Sequence, residues 1–296
     1  MSPAVATLVI YAYSSLVSSW GIGPDVKSLF EKDCHCVVQF VDVGNSGQIL
    51  SRLKLEGAKT QADLAVGFDG ATLFRVRREV GWTQFVPFDQ SPLAFIYDTE
   101  NFKGVPPRSL DDLLRPEFKG QIAIEDPRFS SVGLAFLLWV VKAKGEGAWA
   151  YLEKLKPQLK VVSPSWDLAY GLFKKGQVQL VLSYWTSPAY HIQEESRFHF
   201  HGAPFSKGHY VQSEFLAVNP KAKNLKLAKK FAAFFVSKEI QELIMKKQFM
   251  YPINSKAKFT PAFEKLGVAK KLAPLPQSEI EKNLDLWLKK WREIFS

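Results

Sequence analysis

The sequence predicts an α/β protein of two lobes joined by crossing strands, with a ligand cleft between them. Two observations carry that reading. From Thr7 to Asp69, short apolar runs alternate with amphipathic stretches in the order strand, helix, strand, helix, strand. That alternation is the pattern of a parallel sheet covered by helices. From Phe85 the text changes to Pro-punctuated extended segments, Phe85-Val86-Pro87-Phe88 and Leu93–Tyr97, and a second extended run, Val211–Val218, reads as the return. The crossings divide the chain into 1–88, the first part of lobe 1; 89–210, lobe 2; and 211–296, the return into lobe 1 with C-terminal helices. A chain of 296 residues can bury a large core.

Each element has its own signal. Thr7–Tyr13 (TLVIYAY) reads as the first strand, closed by the polar turn Ser14-Ser15. Gly23-Pro24-Asp25 opens a helix to about Asp33, with Val26, Leu29 and Phe30 facing inward. Val37–Val43 is a strand, Gly44-Asn45-Ser46-Gly47 a loop, Gln48–Glu56 a helix, and Asp63–Asp69 a strand with its turn. In lobe 2, Leu110–Leu114 reads as a short helix, Gln121–Glu125 as a strand and Asp126–Ser131 as a turn. Val132–Lys142 is a strongly apolar, buried helix; Gly147–Leu155 is another, and Val161–Val162 is a strand. Ser165-Trp166-Asp167 opens a helix through Lys174, and Arg197–Ala203 is a polar, aromatic strand. The helix Leu225–Val236, the Phe249-Met250-Tyr251-Pro252 loop and a lysine-rich helical C-terminus finish the chain.

The densest stretch is Val178–Glu195, VQLVLSYWTSPAYHIQEE. Its apolar opening suits a strand buried on both faces. Thr186 or Ser187 can cap the helix that follows, and Pro188 fits the first helical position. Three aromatics, Tyr184, Trp185 and Tyr190, surround this strand-to-helix turn, at the strand end where open α/β sheets bind ligands. Aromatic faces beside helix-terminal N–H groups suit a flat, cationic ligand with an anionic tail. Core packing is the alternative for any single ring.

Composition limits the other classes. The formal charge of +10 and pI of about 9.4 point toward anionic partners, but the lysines are spread along the chain and no nucleic-acid motif accompanies them. Nucleic acid is therefore not an expected partner. No apolar run has the length of a membrane span. Met1-Ser2-Pro3 leads almost directly into a strand and reads as an engineered start in place of a removed leader. Cys34-His35-Cys36 leaves three readings open, a tight disulfide, a partial metal site or two thiols, of which an export-compartment disulfide fits best. His199 and His201 alternate on one face, which suits solvent better than a metal pair.

Several runs then match a known family in order and spacing. Tyr11-x-Tyr13-x-Ser15 lies near Trp20-Gly21, followed by Asp33-Cys34-x-Cys36, Phe85-Val86-Pro87-Phe88-Asp89 and Asp126-Pro127-Arg128. Ala169-Tyr170-Gly171-Leu172-Phe173, Tyr184-x-Thr186-Ser187-Pro188-Ala189-Tyr190-His191, Gly208-His209-Tyr210 and Met250-Tyr251-Pro252 complete the set. Over nearly its whole length the chain resembles the periplasmic thiamine-binding proteins of bacterial ABC importers. The resemblance implies the type II periplasmic binding protein fold, a periplasmic location and delivery of ligand to an inner-membrane ABC permease. It implies thiamine, its monophosphate or its diphosphate as ligand, a monomer, and neither cofactor nor catalysis.

Carried over position by position, the resemblance assigns ligand contacts to Tyr13, Asn45, Ser46, Ser130, Ser131, Trp166, Tyr184, Trp185, Thr186, Ser187, Tyr190 and Phe249. Thiazolium carries a fixed positive charge that aromatic faces attract by about 0.5–2 kcal/mol each. The aminopyrimidine suits stacking plus polar atoms from Asn45, Asp69 or Glu214, and Ser130-Ser131 and Thr186-Ser187 precede helices whose N-termini suit phosphate. Plain N-capping is the alternative role for these hydroxyls. Three positions depart from the family: Asn45 replaces an acid, Trp185 a small polar residue, and Phe249 a tryptophan. Two other classes share the fold. A thiamine-degrading enzyme needs a cysteine nucleophile, and the only thiols lie away from the predicted ligand turns. A ferric-ion binder uses an adjacent tyrosine pair, and Trp185 cannot ligate iron.

Overall fold

A computed structural model describes residues 5–296; the Met1-Ser2-Pro3 start lies outside the described residues. The chain forms two compact units. Unit 1 holds the residues through Gln90 with Ser213–Thr260, and unit 2 holds Ser91–Gln212 with Pro261–Ser296.

The strands are β1 (Thr7–Ala12), β2 (Val37–Asp42), β3 (Leu64–Asp69), β4 (Gln84–Asp98), β5 (Ile122–Glu125), β6 (Leu159–Ser163), β7 (Leu180–Tyr184), β8 (Phe200–Gly202), β9 (Val211–Val218) and β10 (Tyr251–Pro252). The helices of eight residues or more are α1 (Gly23–Cys34), α2 (Ser46–Glu56), α3 (Ser131–Lys144), α4 (Ala148–Leu155), α5 (Trp166–Lys174), α6 (Pro188–Glu195), α7 (Leu225–Phe235), α8 (Lys238–Lys247) and α9 (Gln277–Phe295). This is the mixed α/β architecture the sequence predicts, and β4 and β9 are the strands that run from one unit into the other.

In unit 1 the order is β2-β1-β3-β9. The first three strands are parallel and β9 is antiparallel to β3, which sets Asp69 opposite Glu214. The ladder slips between Val66 and Phe68, where Gly67 adopts φ +111°. Only glycine enters that conformation without strain. A Cβ there would also lie 2.1 Å from Cδ1 of Tyr13, so the absent side chain makes room for the ring. Helix α2 starts on a capping box, Asn45 Oδ1 accepting from Gln48 N and Gln48 Oε1 from Asn45 N. Helix α1 ends at left-handed His35 (φ 51°), and the flanking Cys34 and Cys36 form a disulfide, the export-compartment reading among the three.

In unit 2, β5 lies between parallel β6 and β7, while β7 and β8 pair antiparallel with β4. Helix α3 is buried along every residue from Val132 to Val141, as an all-round apolar helix must be.

Three expectations need correction. Residues 261–296 pack in unit 2 rather than returning to lobe 1. Lys156 Nζ donates to the Ile294 carbonyl at 2.6 Å, and Lys290 sits 4.9 Å over the Trp149 ring. Nothing between Ile253 and Pro276 signals a third crossing, so this packing is decided by tertiary contacts. The strand expected over Arg197–Ala203 is only Phe200–Gly202, because Arg197 and His199 turn to ion pairs. Helix α8 was not foreseen, although Ser237 caps it through Ile240 N and Ile240, Ile244 and Met245 line its buried face.

Candidate functional site

Each unit carries its own cluster of candidate residues. In unit 1, Tyr13 directly follows β1 and its phenol donates to Glu214 Oε2 at 3.2 Å while accepting from Gln248 Nε2 at 2.8 Å. Burial and the neighbouring Glu214 and Asp89 push this phenol well above its ordinary pKa, so it stays a donor. Gln248 comes from the end of α8, and Phe249 follows in a left-handed conformation (φ 55°), a costly state for a residue of its size. Asn45 has its Oδ1 and backbone N–H taken by the capping box, so only its Nδ2 points elsewhere. Ser46 begins α2 beside it.

Around Tyr13 stand three carboxyl groups. Asp69, 5% exposed at the end of β3, accepts from Ala71 N at 2.7 Å, and burial raises its pKa to about 7. Glu214 on β9 is also raised to about 7, first by burial and then by the charge of Asp69, against the Tyr13 hydrogen bond that lowers it. Asp89 on β4 is fully buried, and neither of its carboxylate oxygens has a hydrogen-bond partner. Burial, then the charge of Glu214, raises it well above the usual range. In the sequence Asp69 and Glu214 stand out only as polar atoms for the aminopyrimidine, and Asp89 only as the end of the family-like run Phe85–Asp89. The available signal was a lone acid inside the apolar extended run Phe85–Tyr97.

In unit 2 the candidates are hydroxyls and rings. Trp166 Nε1 donates to Ser183 Oγ at 2.7 Å and its ring stacks on Tyr170 at 5.0 Å. Ser183 is fully buried and bonds Ser187 Oγ at 2.7 Å; Ser187 Oγ accepts from Tyr184 N at 3.2 Å. Thr186, also fully buried, bonds Ser91 Oγ at 3.1 Å. Neither hydroxyl caps α6, contrary to the capping expectation; both hold the strand end instead. The first amides of α6 are likewise used, Ala189 N by Thr186 O and Tyr190 N by Ser187 O, so this terminus is a poor anion site. At α3, Ser130 Oγ does cap, accepting from Gly133 N at 3.4 Å, and Ser131 is the first helical residue.

Tyr184 is half-buried at the end of β7. Trp185 packs within unit 2, its Nε1 donating to Gly267 O at 3.4 Å and its ring 5.2 Å from His209. Tyr190 accepts from Lys174 Nζ at 3.0 Å, and Lys174 also pairs with Glu195 at 3.1 Å. His191 is fully buried between Tyr170 OH (2.9 Å) and Glu195 (2.7 Å), a structural residue kept uncharged by burial. His199 has both ring nitrogens engaged, Nδ1 with Asp98 at 2.5 Å and Nε2 accepting from Arg197 Nε at 3.0 Å. Among the described residues the one trio spaced for a metal, Asp98, Glu100 and His199, therefore offers no free imidazole lone pair.

Comparison with known proteins follows the same lines. Residues 77–272 match the family described as bacterial extracellular solute-binding protein. The chain is 38% identical over 303 residues to the thiamine-binding periplasmic protein of Brucella abortus biovar 1, covering 96% of this chain and 90% of that protein. It is 36% identical over 311 residues to the thiamine-binding periplasmic protein of Escherichia coli K12, covering 99% and 94%. A solved structure titled periplasmic thiamin binding protein superposes with a TM-score of 0.92 at 36% identity, covering 100% of this chain and 98% of that one. A ferric binding protein from Campylobacter jejuni shares the fold alone, at a TM-score of 0.81 and 17% identity over 97% of this chain and 99% of that one. The chain belongs to the bacterial extracellular solute-binding proteins, in the group of the thiamine-binding periplasmic proteins.

Proposed function

We propose that this protein captures thiamine in the periplasm and delivers it to the permease of an ABC importer. The observation that carries the reading is the near-full-length likeness, in sequence and in fold, to thiamine-binding periplasmic proteins. The family is one of binding proteins and not of enzymes, and the two cysteines are joined to each other, leaving no thiol nucleophile. In unit 2, Trp166, Tyr184 and Tyr190 supply ring faces of the kind a thiazolium or an aminopyrimidine stacks on; in unit 1, Tyr13 and Phe249 are the corresponding candidates. Asn45 and Ser46 add polar contacts. Ser130 and Ser131, at the start of the 14-residue α3, are the contacts for a phosphate on the monophosphate or diphosphate. Thr186 and Ser187 act by holding Tyr184 and Trp166 in place, and Trp185 by supporting the same strand end. The protein works as a monomer.

The test is calorimetric titration of refolded, ligand-stripped protein with thiamine and its two phosphates. One-to-one binding that weakens in Trp166→Ala and Tyr190→Ala supports the reading. Absence of heat with all three ligands overturns it.

A further inference from the structure

The carboxyl cluster of unit 1 poses a question that stacking does not answer. Three acids lie together, and among the described residues no lysine or arginine is seen to act on them. Asp69 and Glu214 are opposed on β3 and β9, Glu214 meets the Tyr13 phenol, and Asp89 interacts with both Glu214 and Tyr13 from β4. The groups that face the cluster are Tyr13 just after β1, Gln248 from the end of α8 and the Ala71 amide after β3. None of these carries positive charge. A buried, unpaired carboxylate is costly, and two or three together more so. Most buried polar groups find partners, so the empty hydrogen-bonding capacity of Asp89, fully buried, needs an explanation.

We propose that Asp89, Glu214 and Asp69 form a cation-recognition element, with Asp89 and Glu214 accepting N–H donors of a neutral aminopyrimidine while the quaternary, N–H-free heterocycle joined to it supplies the positive charge that the three carboxyl groups lack. The inference rests on the thiamine reading above and adds to it the residues that answer the ligand's charge. Burial raises Asp69 to about 7, and burial with the charge of Asp69 raises Glu214 to about 7, so the cluster is partly protonated near neutral pH. A fixed cation beside them stabilises the carboxylate form. Binding therefore releases a proton to the buffer, and no proton is needed from the ligand.

The experiment is titration of stripped protein with thiamine chloride at pH 6.5 in buffers of different ionisation enthalpy, which counts protons without any variant. It is repeated between pH 5.5 and 8.5, and with Asp89→Asn and Glu214→Gln. The expected result is net proton release and an affinity that rises with pH, up to about tenfold per unit below pH 7 for one proton, then levels. Asp89→Asn should keep its melting temperature at pH 6, since the amide mimics the protonated acid, while losing at least tenfold in affinity and most of the pH slope. Glu214→Gln should behave alike, and either variant suffices if the other fails to fold. Wild-type protein that binds thiamine with no proton release overturns the inference alone, as do variants of unchanged affinity and slope. Wild-type protein that gives no heat with thiamine overturns the thiamine reading and the inference with it.

Discussion

Unit 1 and unit 2 prepare their candidate residues in opposite ways. In unit 2 the hydroxyls and the indole among the candidates are bonded to one another: Trp166 to Ser183, Ser183 to Ser187, Ser187 to the Tyr184 amide, Thr186 to Ser91. Among the described residues the one buried acid left without a hydrogen bond there, Glu125 at the end of β5, stands alone rather than in a cluster. The rings are fixed before any ligand arrives, which lowers the ordering cost of stacking. In unit 1 the polar groups are left short. Asp89 has no partner, and Asp69 and Glu214 hold protons near neutrality. A satisfied network gives shape, and an unsatisfied one gives a charge response. The contrast teaches that the two halves should fail differently when disturbed.

The largest effect is expected at Gly67. Alanine there must leave the left-handed conformation or strain it, at about 1–3 kcal/mol, and its Cβ would lie 2.1 Å from Cδ1 of Tyr13. Displacing that ring breaks the bonds to Glu214 and Gln248. Urea unfolding should show a loss beyond the backbone cost, and calorimetry a thiamine affinity reduced by more than tenfold. A Gly67→Ala protein of normal affinity would show that Tyr13 does not hold the ligand.

In unit 2 the sharper cut is Trp166. Replacing it with alanine should weaken thiamine binding roughly tenfold, the scale of one stacked cationic contact of about 1–2 kcal/mol. Stability should change less, because the ring is half-buried. Ser183→Ala separates support from contact. It leaves the Trp166 indole N–H without its partner and takes Ser183 from the Ser187 hydroxyl, which keeps the Tyr184 amide, so about 1–3 kcal/mol of stability should go, with a smaller loss in affinity. Equal losses in both readouts would mean that Ser183 is itself a ligand contact.

The comparison also predicts two limbs of pH-dependent stability. In unit 1 the acids have folded pKa values above their unfolded ones, as does buried Glu125 of unit 2, so they favour the folded state below about pH 4, and that contribution is lost as pH rises toward 7 and beyond. In unit 2, burial pushes Glu195 up, but hydrogen bonds from His191 and Lys174 hold it down at about 2. Its contribution is present above about pH 4.5 and lost as pH falls toward 2. Thermal melts of ligand-free protein should therefore weaken on both sides, and Asp89→Asn with Glu214→Gln should flatten the upper limb in part, Asp69 and Glu125 supplying the rest, and leave the lower limb unchanged. An unchanged upper limb in the double variant would place its origin elsewhere.

Much of this was legible in the sequence. Period-two and helical patterns marked the strands and most helices, and the aromatic turn at Tyr184–Tyr190 announced unit 2's cluster because stacking residues sit in one contiguous run. Unit 1's cluster is assembled from Tyr13, Asp69, Asp89, Glu214 and Gln248, on five separate elements. No local pattern joins residues two hundred positions apart, and an acid in a strand reads as a solvated face until pairing buries it. The same limit hid the packing of 261–296 against unit 2. Amphipathicity shows that a helix has a partner and leaves open which one.

The smallest expected effect tests how far unit 2's completeness extends. Lys174 donates to the Tyr190 hydroxyl at 3.0 Å and pairs with Glu195 at 3.1 Å, at a partly exposed surface. Such a pair contributes about 0.5 kcal/mol. Lys174→Met should keep the Tyr190 ring in place through its contact with His191, 5.1 Å between centroids, so thiamine affinity should fall only two- to threefold, about 0.5 kcal/mol. The acid limb of the melting curve should move upward as Glu195 loses one of its three partners, keeping His191 and Arg197. Titration with thiamine monophosphate provides the contrast. If Lys174 serves only to set Tyr190, the two ligands lose affinity equally; a larger loss for the monophosphate would make the ammonium a phosphate contact and shift the anion end from Ser130 and Ser131 toward α5.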